Sequence, residues 1–336
     1  MNKKNMRILV TGGAGYIGSK ISIDLLKKGY EVFVVDNLQT GFKFLLDKKV
    51  NFFKLDIRDE KKLSNILKKN KINNIIHLAA SLSVEESMIL PEKYYSNNVE
   101  GTFSLIKSAI NNKVKNIIFS STCATYGNLN GKINETFFQN PESVYGKTKY
   151  LAENIIINYS KLAKFNFAIL RYFNVVGADV EIRTGCSYSG GQLFKNLAEC
   201  IVNKKYEIDV YGTDYSTPDG TAIRDYIDVN DLSAIHIMCL KNISLNSSLI
   251  LNCGYGYGYS VLEIIKKFEE VTGKHIKINF KKRRKGDIAV AISDNKNLIK
   301  KINFNLGNIK KLEQSINTAL LWEKKLKQIK KNKNYL

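Results

Sequence analysis

The sequence predicts an α/β fold with a doubly wound parallel sheet, followed by a smaller C-terminal α/β lobe. Three observations predict it. Short apolar runs alternate with amphipathic stretches in the first half, a glycine-rich turn follows the first apolar run, and the alternation loosens from about residue 177. Strands joined through helices pair in parallel, because such a crossover needs a dozen residues or more. A chain of 336 residues is long enough for two moderate domains.

The apolar runs have the length and composition of buried strands. In chain order they lie at 7–11, 31–35, 51–55, 73–78, 116–120 and 166–171. Between and after them, apolar residues recur at helical spacing, which predicts helices near 16–28, 59–69, 92–112, 145–163, 190–203, 229–241 and 261–272.

The charge balance is strongly basic, with 52 Lys and Arg against 31 Asp and Glu, a net charge of +21. Most of these cations are lysines spread along the whole chain, whereas dedicated phosphate readers favour arginine. The pattern therefore favours a solvated basic surface, and we expect neither nucleic acid nor a membrane as a partner. The apolar runs are only a few residues long, far short of a bilayer span.

The cysteine pattern concerns compartment and metal content. The five cysteines are odd in number and widely spaced, and no C-x-x-C occurs. Disulfide frameworks and structural zinc sites both need a different pattern. The sequence therefore predicts a reducing compartment, which we take to be the cytoplasm, and no metal. The three histidines likewise show no metal-ligand or Ser–His–Asp spacing.

A glycine-rich turn marks the predicted cofactor site. Residues 7–18 read RILVTGGAGYIG, an apolar strand that runs into Gly12, Gly15 and Gly18 before a helical pattern begins. Such glycines allow a tight turn and a close approach of a pyrophosphate to a helix N-terminus. The context of strand, turn and helix predicts a Rossmann-like dinucleotide site. Asp36 ends the second strand and would bind ribose hydroxyls while repelling a 2′-phosphate, which predicts NAD rather than NADP.

A tyrosine and a lysine form the predicted catalytic pair. Residues 143–150 read SVYGKTKY, so that Tyr145 and Lys149 lie one turn apart on one face of a helix. A nearby ammonium favours the phenolate, which would let Tyr145 act as a general base. The spacing alone is a weak signal in a chain with 18 tyrosines. It gains weight from the strand end FSST at 119–122, whose last hydroxyl could share the substrate proton.

A series of longer strings resembles the extended short-chain dehydrogenase/reductase family, and within it the 4-epimerases of UDP-sugars. The likeness covers about residues 6–325. The matching strings include TGGAGYIGSK (11–20), PEKYYSNNVEGT (91–102), FSSTCATYG (119–127), YGKTK (145–149), LRYFNVVGA (170–178), YGTDYSTPDGTAIRDYI (211–227) and RRKGD (283–287).

The resemblance implies an activity and a set of roles. It implies interconversion of UDP-galactose and UDP-glucose through a transient 4-keto sugar, with tightly bound NAD. Tyr145 would take the proton of the sugar 4-hydroxyl, Thr122 would hydrogen-bond the 4-oxygen, and Lys149 would hold the nicotinamide ribose. The family also implies a homodimer formed by the helices near 92–112 and 145–163, although their apolar stripes could equally cover the sheet.

The resemblance also implies a domain organisation. Residues 1–176 would form the NAD-binding Rossmann domain, to which 223–250 would return. Residues 177–222 and 251–336 would form the UDP-sugar-binding lobe.

The resemblance further implies two sets of binding residues, each at positions that match the family pattern. The implied NAD contacts are Gly12, Gly15, Tyr16, Ile17, Gly18, Asp36, Asn37, Asp56, Ile57, Ala79, Asn98 and Phe173. The implied UDP-sugar contacts are Asn174, Leu193, Val210, Tyr211, Arg224, Tyr226, Arg284, Asp287 and Ala291. Ala291 matches a position that lines the sugar pocket, and its small side chain suggests that UDP-N-acetylhexosamines are also accepted.

Other functions remain open at the level of sequence. A sugar-nucleotide dehydratase of this fold would carry an acid pair after the threonine, but Thr122 is followed by Cys123 and Ala124. A 4-epimerase of UDP-pentoses would carry the same motifs. A non-enzymatic module that senses NAD or binds nucleic acid through its positive charge is a further alternative, which the intact set of Thr122, Tyr145 and Lys149 disfavours.

Overall fold

The computed structural model describes residues 6–188, 192–243, 248–284 and 287–332. It contains the predicted α/β fold, with fifteen strands in the described part of the chain. The strands are β1 (Arg7–Thr11), β2 (Glu31–Asp36), β3 (Asn51–Lys54), β4 (Asn74–His77), β5 (Asn116–Thr122), β6 (Gly131–Ile133), β7 (Asn166–Tyr172), β8 (Asn174–Val176), β9 (Glu207–Tyr211), β10 (Ile223–Arg224), β11 (Tyr226–Asp228), β12 (Leu249–Cys253), β13 (Tyr259–Ser260), β14 (Lys277–Lys281) and β15 (Val290–Ser293).

The helices alternate with the strands in the first half of the chain, as predicted. The α-helices are α1 (Tyr16–Lys27), α2 (Glu60–Lys69), α3 (Val84–Ile89), α4 (Pro91–Tyr94), α5 (Gly101–Asn111), α6 (Val144–Ala163), α7 (Leu193–Val202), α8 (Val229–Ile243), α9 (Val261–Thr272), α10 (Lys296–Ile302) and α11 (Leu312–Lys331). Short 3₁₀ turns lie at Lys43–Leu45, Cys123–Tyr126 and Leu306–Asn308, and a π-helical segment lies at Tyr95–Glu100.

The largest sheet has seven strands in the order β12-β7-β5-β4-β1-β2-β3. The pairings from β7 to β3 are all parallel. The chain starts in the middle at β1, runs outward to β3, and then crosses to β4 on the other side. This reversal beside β1 is the point at which doubly wound sheets bind ligands, at the carboxyl ends of the strands.

The core of this sheet explains why its strands read as apolar runs. Leu9, Phe33, Ile75, Ile117 and Ile169 come from five neighbouring strands, and all are buried in one cluster. Side chains of α5 and α6 pack on the same cluster. Strands covered by helices on both faces need apolar residues at consecutive positions, not only at alternate ones.

The chain divides into two compact units. The first comprises Met1–Gly127, Phe138–Tyr172 and Ser233–Leu251, and the second comprises Asn128–Phe137, Phe173–Leu232 and Asn252–Leu336. Residues 1–176 were expected to lie in the first domain, but the short stretch from Asn128 to Phe137 belongs to the second unit. The segment that returns to the first unit is 233–251, where 223–250 was expected.

The second unit is built from small sheets and helices around its own core. Its sheets are β13-β10-β15-β6 with four strands, β11-β8 with two and β14-β9 with two. The core cluster includes Phe194 of α7, Phe268 of α9 and Ile316 of α11.

The predicted helix over 92–112 is not continuous. Helix α4 passes into the π-helical segment Tyr95–Glu100, and α5 begins at Gly101. Within that segment, the Asn98 side chain is buried and hydrogen-bonds both the Ser81 backbone and Thr148. Such π segments often occur at functional sites, because the extra residue turns a side chain inward.

Within the residues that the structure describes, no helix is long and apolar enough to cross a membrane.

Candidate active site

The glycines after β1 shape a turn that leaves room for a ligand. Gly12 has a φ of +69°, and a Cβ there would lie 2.6 Å from the backbone nitrogen of Ala79. A Cβ on Gly18 would lie 2.3 Å from the Gly12 carbonyl oxygen. At Gly15 the nearest atom would be that same oxygen, at 3.3 Å. The first and third glycines therefore permit close packing of the backbone, and the middle one keeps one side of the turn open.

The N-terminus of α1 has no side-chain cap, as is also the case for α5, α7 and α10. Its N-cap is Gly15, which supplies no side-chain hydrogen bond, and its first turn has no acidic residue. By contrast, side chains cap α2 (Asp59), α6 (Ser143) and α9 (Ser260). An uncapped helix N-terminus behind a glycine turn suits a pyrophosphate, whose charge complements the helix dipole. These residues therefore fit a dinucleotide.

Asp36 stands at the end of β2, as predicted. Its carboxylate accepts hydrogen bonds from the backbone nitrogens of Ala14 (3.0 Å) and Leu38 (2.8 Å). Burial raises the pKa of Asp36, and these two hydrogen bonds oppose that rise. Each carboxylate oxygen has a second lone pair, so Asp36 can still accept hydrogen bonds from ribose hydroxyls.

Two further predicted cofactor residues lie side by side. The Asn37 amide donates a hydrogen bond to Asp56 at 3.1 Å. Hydrogen bonds from the Arg58 guanidinium are the main reason why the pKa of Asp56 falls to about 2. Asp56 is therefore ionised at every working pH. Arg58 was not predicted, because an arginine two residues beyond a loop aspartate has no distinctive sequence pattern.

The remaining predicted cofactor residues occupy different surroundings. Tyr16 and Ile17 begin α1, and the Ala79 backbone lies against Gly12. Ile57 is buried in the core of the large sheet. Asn98 is held by Ser81 and Thr148, so its visible role is to fix the π-helical segment. Phe173 belongs to the second unit.

The candidate catalytic helix, α6, begins with a side-chain cap, and its first turn packs closely against a neighbouring turn of the backbone. The Ser143 hydroxyl caps it by accepting from the Gly146 nitrogen at 3.0 Å. Tyr145 and Lys149 follow on one face, and both are buried. A Cβ on Gly146 would lie 2.6 Å from the carbonyl oxygen of Ala124. Glycine at 146 therefore lets the Tyr145 turn pack directly on the turn that follows Thr122.

Thr122 is the last residue of β5, at the carboxyl edge of the sheet. It is buried, and its hydroxyl accepts a hydrogen bond from the Ala124 nitrogen at 3.2 Å. This bond caps the 3₁₀ turn Cys123–Tyr126. The hydroxyl hydrogen is left to donate to a ligand oxygen.

Lys149 is a buried cation. Its ammonium nitrogen lies 4.4 Å from the centroid of the Phe119 ring, a cation–π contact. Burial lowers the pKa of Lys149 to about 7, and the charge of Glu153 opposes that fall. Among the described residues the ammonium has no hydrogen-bond acceptor, so it is available to ribose hydroxyls. This is the strongest fit of the first unit to a nucleotide cofactor.

A buried ion-pair network lies one turn beyond Lys149, and sequence reasoning missed it. Glu153 accepts from Arg171 through Nε (3.0 Å) and Nη2 (2.7 Å), from Gln139 (3.0 Å) and from Ser121. Arg171 in turn donates to the Tyr126 hydroxyl at 2.8 Å. The network connects α6, β7 and both sides of Thr122. A signal existed, because Glu153 continues the spacing of four from Tyr145 and Lys149.

In the second unit, the structure brings Arg224, Asp287 and Ala291 together. The Arg224 guanidinium lies 3.7 Å from the Asp287 carboxylate and donates to the carbonyl oxygens of Ile223 and Ala289. Arg224 and Ala291 are paired residues on the parallel strands β10 and β15. Paired residues present their side chains on the same face of a sheet. Ala291 is buried and adds little volume there.

Tyr211 and Arg284 form a second predicted pair. The Arg284 guanidinium carbon lies 4.1 Å from the centroid of the Tyr211 ring. Arg284 makes no ion pair with any described residue, so its five donors are available to an anion. The adjacent Arg283 instead pairs with Asp214 at 3.0 Å.

The other predicted substrate residues are more dispersed. Asn174 is exposed and pairs in register with Tyr226 across β8 and β11. Leu193 is the first residue of α7. The side chains of Val210 and Tyr226 are buried in the core of the second unit. They help to build the lobe, and the structure does not place them on an open surface.

The described part of the chain holds no group of three or more His, Cys, Asp and Glu side chains that could bind a metal ion.

Two features of the first unit are typical of an enzyme that uses a dinucleotide. One is the glycine turn before an uncapped helix on a doubly wound sheet. The other is the buried Tyr–Lys pair beside a threonine at the end of a strand. Comparison with known proteins agrees with this class. The chain belongs to the NAD dependent epimerase/dehydratase family, whose profile matches residues 8–254.

Three proteins illustrate the likeness. The chain is 40% identical over 302 residues to the UDP-glucose 4-epimerase of Bacillus subtilis (strain 168). The match covers 86% of this chain and 89% of that protein. A UDP-glucose-4-epimerase structure from Stenotrophomonas maltophila, with bound NAD and formylated UDP-arabinopyranose, has a TM-score of 0.92 at 31% identity over 97% of this chain and 100% of that one. The UDP-Glc/GlcNAc 4-epimerase from Campylobacter jejuni has a TM-score of 0.83 at 37% identity over 96% and 100%.

Proposed function

We propose that this protein is a UDP-hexose 4-epimerase, an NAD-dependent isomerase that interconverts UDP-galactose and UDP-glucose. The observation that carries the proposal is the catalytic helix α6. It buries Tyr145 and Lys149 one turn apart, and Gly146 lets it pack against the turn after Thr122. Relatives that share this family act on UDP-glucose, as their names state.

Each catalytic side chain has a distinct task in this reaction. Tyr145, as phenolate, accepts the proton of the sugar 4-hydroxyl while hydrogen leaves C4 with its electron pair. Thr122 donates a hydrogen bond to the same oxygen and holds it in place. Lys149 donates to the ribose of the cofactor, and its positive charge favours the phenolate. Bound NAD supplies the acceptor of the hydride and later its donor.

The second half of the reaction reverses these steps on the other face of the sugar. The 4-keto sugar turns over, hydride returns to C4, and Tyr145 gives its proton back to the 4-oxygen. Substrate and product have equal charge and equal oxidation state, so Tyr145 starts the next cycle as phenolate. A dehydratase needs an acid after the threonine, and Cys123 and Ala124 do not supply one.

The nucleotide part of the substrate would be held by the second unit. Arg224 and Arg284 carry the charge and the planar donors that bind a diphosphate. Asp287 sets the position of Arg224 through their ion pair. Asn174, Leu193, Val210, Tyr211 and Tyr226 complete the proposed set of contacts.

A wider substrate range is a second part of the proposal. Ala291 is small, buried and on the same face of its sheet as Arg224. A small side chain at this position leaves volume for an N-acetyl group, so we propose that UDP-N-acetylgalactosamine is also a substrate.

One experiment tests both parts. Purified protein is incubated without added cofactor with UDP-galactose, with UDP-N-acetylgalactosamine and with UDP-arabinose, and the products are separated by chromatography. Conversion of UDP-galactose to UDP-glucose supports the epimerase and a retained NAD. Turnover of UDP-galactose alone contradicts the N-acetyl proposal. Turnover of the pentose alone moves the function to a UDP-pentose 4-epimerase.

We also propose a cytoplasmic homodimer. None of the five cysteines, all of which lie in the described part of the chain, forms a disulfide, which suits a reducing compartment. Phe103 on α5, together with Leu151 and Leu162 on α6, is exposed although apolar. Apolar side chains grouped on neighbouring helices indicate a surface for another protein, and a second copy would bury them.

A further inference from the structure

Tyr215, which the proposed mechanism does not use, lies in the loop between β9 and β10 of the second unit. Only 5% of its surface is exposed. The ring is tightly confined: a Cβ on Gly212 would lie 2.5 Å from its Cε2 atom, and the Arg283 guanidinium carbon lies 3.9 Å from its centroid. Gly212 has a φ of +82°, so the loop relies on glycine at this contact.

The Tyr215 backbone is fixed as firmly as its ring. Its nitrogen donates to the Gly220 carbonyl oxygen at 3.0 Å, and its carbonyl oxygen accepts from Thr217 at 2.8 Å. The backbone position from which the ring projects is therefore fixed.

The hydroxyl group of Tyr215 is the unexplained feature. It is buried, and in the described part of the chain it has no hydrogen-bond partner. A buried hydroxyl without a partner destabilises a protein, so its retention needs a reason. Among the described residues, one other buried side-chain atom lacks a hydrogen-bond partner, the Asn230 amide oxygen.

The surroundings of the hydroxyl indicate which kind of hydrogen-bond partner it can bind. Burial raises the pKa of this phenol, so the group is a neutral donor at working pH. The charged groups that act on it are two carboxylates and two guanidiniums, namely Asp287, Arg283, Arg224 and Asp214. Asp214 already pairs with Arg283. Arg224 and Asp287 are the groups proposed above to hold the nucleotide.

We infer that the Tyr215 hydroxyl donates a hydrogen bond to a phosphate oxygen of the UDP diphosphate. This rests on the proposed function. A diphosphate presents only acceptors in this region, and a phenol adds a donor without adding charge. Arg283 clamps the ring and is itself neutralised by Asp214, so that the anion is left to Arg224, Arg284 and Tyr215.

The test is Tyr215→Phe, which removes only the hydroxyl oxygen. UDP and uridine are titrated calorimetrically against the wild-type holoenzyme and the variant. A hydrogen bond to a charged group predicts a fall in UDP affinity of about tenfold or more. Uridine, which lacks phosphate, should bind both proteins equally. Without UDP the variant should unfold at the same temperature as the wild type or higher, and UDP should raise that temperature less.

The matched control is Tyr257→Phe in the same unit. Tyr257 is 44% exposed, and its ring stacks on Tyr255 and meets Tyr259 edge-to-face. Its hydroxyl should not affect UDP binding. Equal UDP affinity in wild type and Tyr215→Phe would overturn the inference, and so would an equal loss for UDP and uridine. Failure of the wild type to bind UDP or to epimerise UDP-galactose would instead overturn the proposed function, which is a separate readout.

Discussion

Lys149 shows how a single buried charge can affect both stability and catalysis. Burial lowers its pKa from 10.5 to about 7. Between these values the unfolded chain holds a proton that the native protein has released, so native stability rises with pH in this window. Below pH 7 both states hold the proton, and the native state bears the full cost of the buried ammonium.

The first prediction concerns Lys149→Met in the cofactor-free protein. The substitution removes the buried charge, so it should raise the melting temperature relative to wild type, and by several degrees more at pH 6 than at pH 9. Thermal unfolding at the two pH values measures this. Lys147→Met, two residues earlier and exposed, is the control and should show no such pH dependence. A gain that is equal at both pH values would contradict the assignment.

The second prediction concerns the buried pair Glu153–Arg171. Glu153→Gln leaves an unpaired cation near the catalytic pair, which favours the phenolate of Tyr145. Arg171→Met leaves an unpaired anion, which disfavours it. The acid limb of the pH profile of kcat/KM should therefore move by about one pH unit, downward in the first variant and upward in the second. His77, kept neutral by burial with a pKa of about 3, should not contribute.

If Glu153 had only a structural role, the pH profiles of Glu153→Gln and Arg171→Met would not shift in opposite directions. The control is Glu323→Gln, which breaks the buried Lys195–Glu323 pair in the second unit. Like the other two variants it should lose stability, because the buried Lys195 ammonium keeps only its second partner, Glu199, at 3.0 Å. Its pH profile should keep the wild-type position. Shifts in the same direction for Glu153→Gln and Arg171→Met would count against an electrostatic role.

At the scale of elements, Gly146 determines how closely helix α6 packs. Gly146→Ala would place a methyl group 2.6 Å from the Ala124 carbonyl oxygen, so either the helix or the turn after Thr122 must move. We expect kcat to fall at least tenfold while KM changes little, because Tyr145 and Thr122 no longer meet the same oxygen. Steady-state kinetics measures both constants. Lys161→Ala, exposed on the same helix, should leave both unchanged.

Several elements were predictable because their signal is local. The six apolar runs became β1, β2, β3, β4, β5 and β7 within two residues at each end. The glycine turn and the Tyr–Lys spacing are likewise read from neighbouring residues. The π-helical segment was not predictable, because its cause is the contact of Asn98 with Thr148, fifty residues away. The ion pair of Glu153 was missed for the same reason, since Glu153 lies on helix α6 and its partner Arg171 lies on strand β7.

At the scale of the whole molecule, the two units differ in how well their strands can be predicted from the sequence. The first unit has long strands buried on both faces, which leave continuous apolar runs. The second has strands of two to five residues, which pair across wide gaps in sequence, as β6 does with β15. Such short strands lack a period that a sequence pattern could show. Its proposed site residues were therefore reached through family resemblance and not through pattern.

The last prediction concerns assembly. Leu151 and Leu162 are eleven residues apart on α6, so they share a face, and Leu162 is 78% exposed. Phe103 is exposed on α5 and packs edge-to-face against Tyr159 of α6, which makes the apolar face continuous. If two copies bury this face, Phe103→Glu with Leu151→Glu places carboxylates in the interface, and the mass by light scattering should fall from twice 38.1 kDa to 38.1 kDa.

A control distinguishes this interface from non-specific association through exposed apolar side chains. Phe138 is 82% exposed and equally apolar but lies outside both helices, so Phe138→Glu should leave the mass unchanged. A wild-type mass of 38.1 kDa would contradict the dimer outright. A dimer that survives the double substitution would place the interface on another surface. Because Tyr145 and Lys149 lie on α6 with Leu151, a dimer built on this helix would also brace the catalytic face against movement, and the monomeric variant should lose part of its kcat.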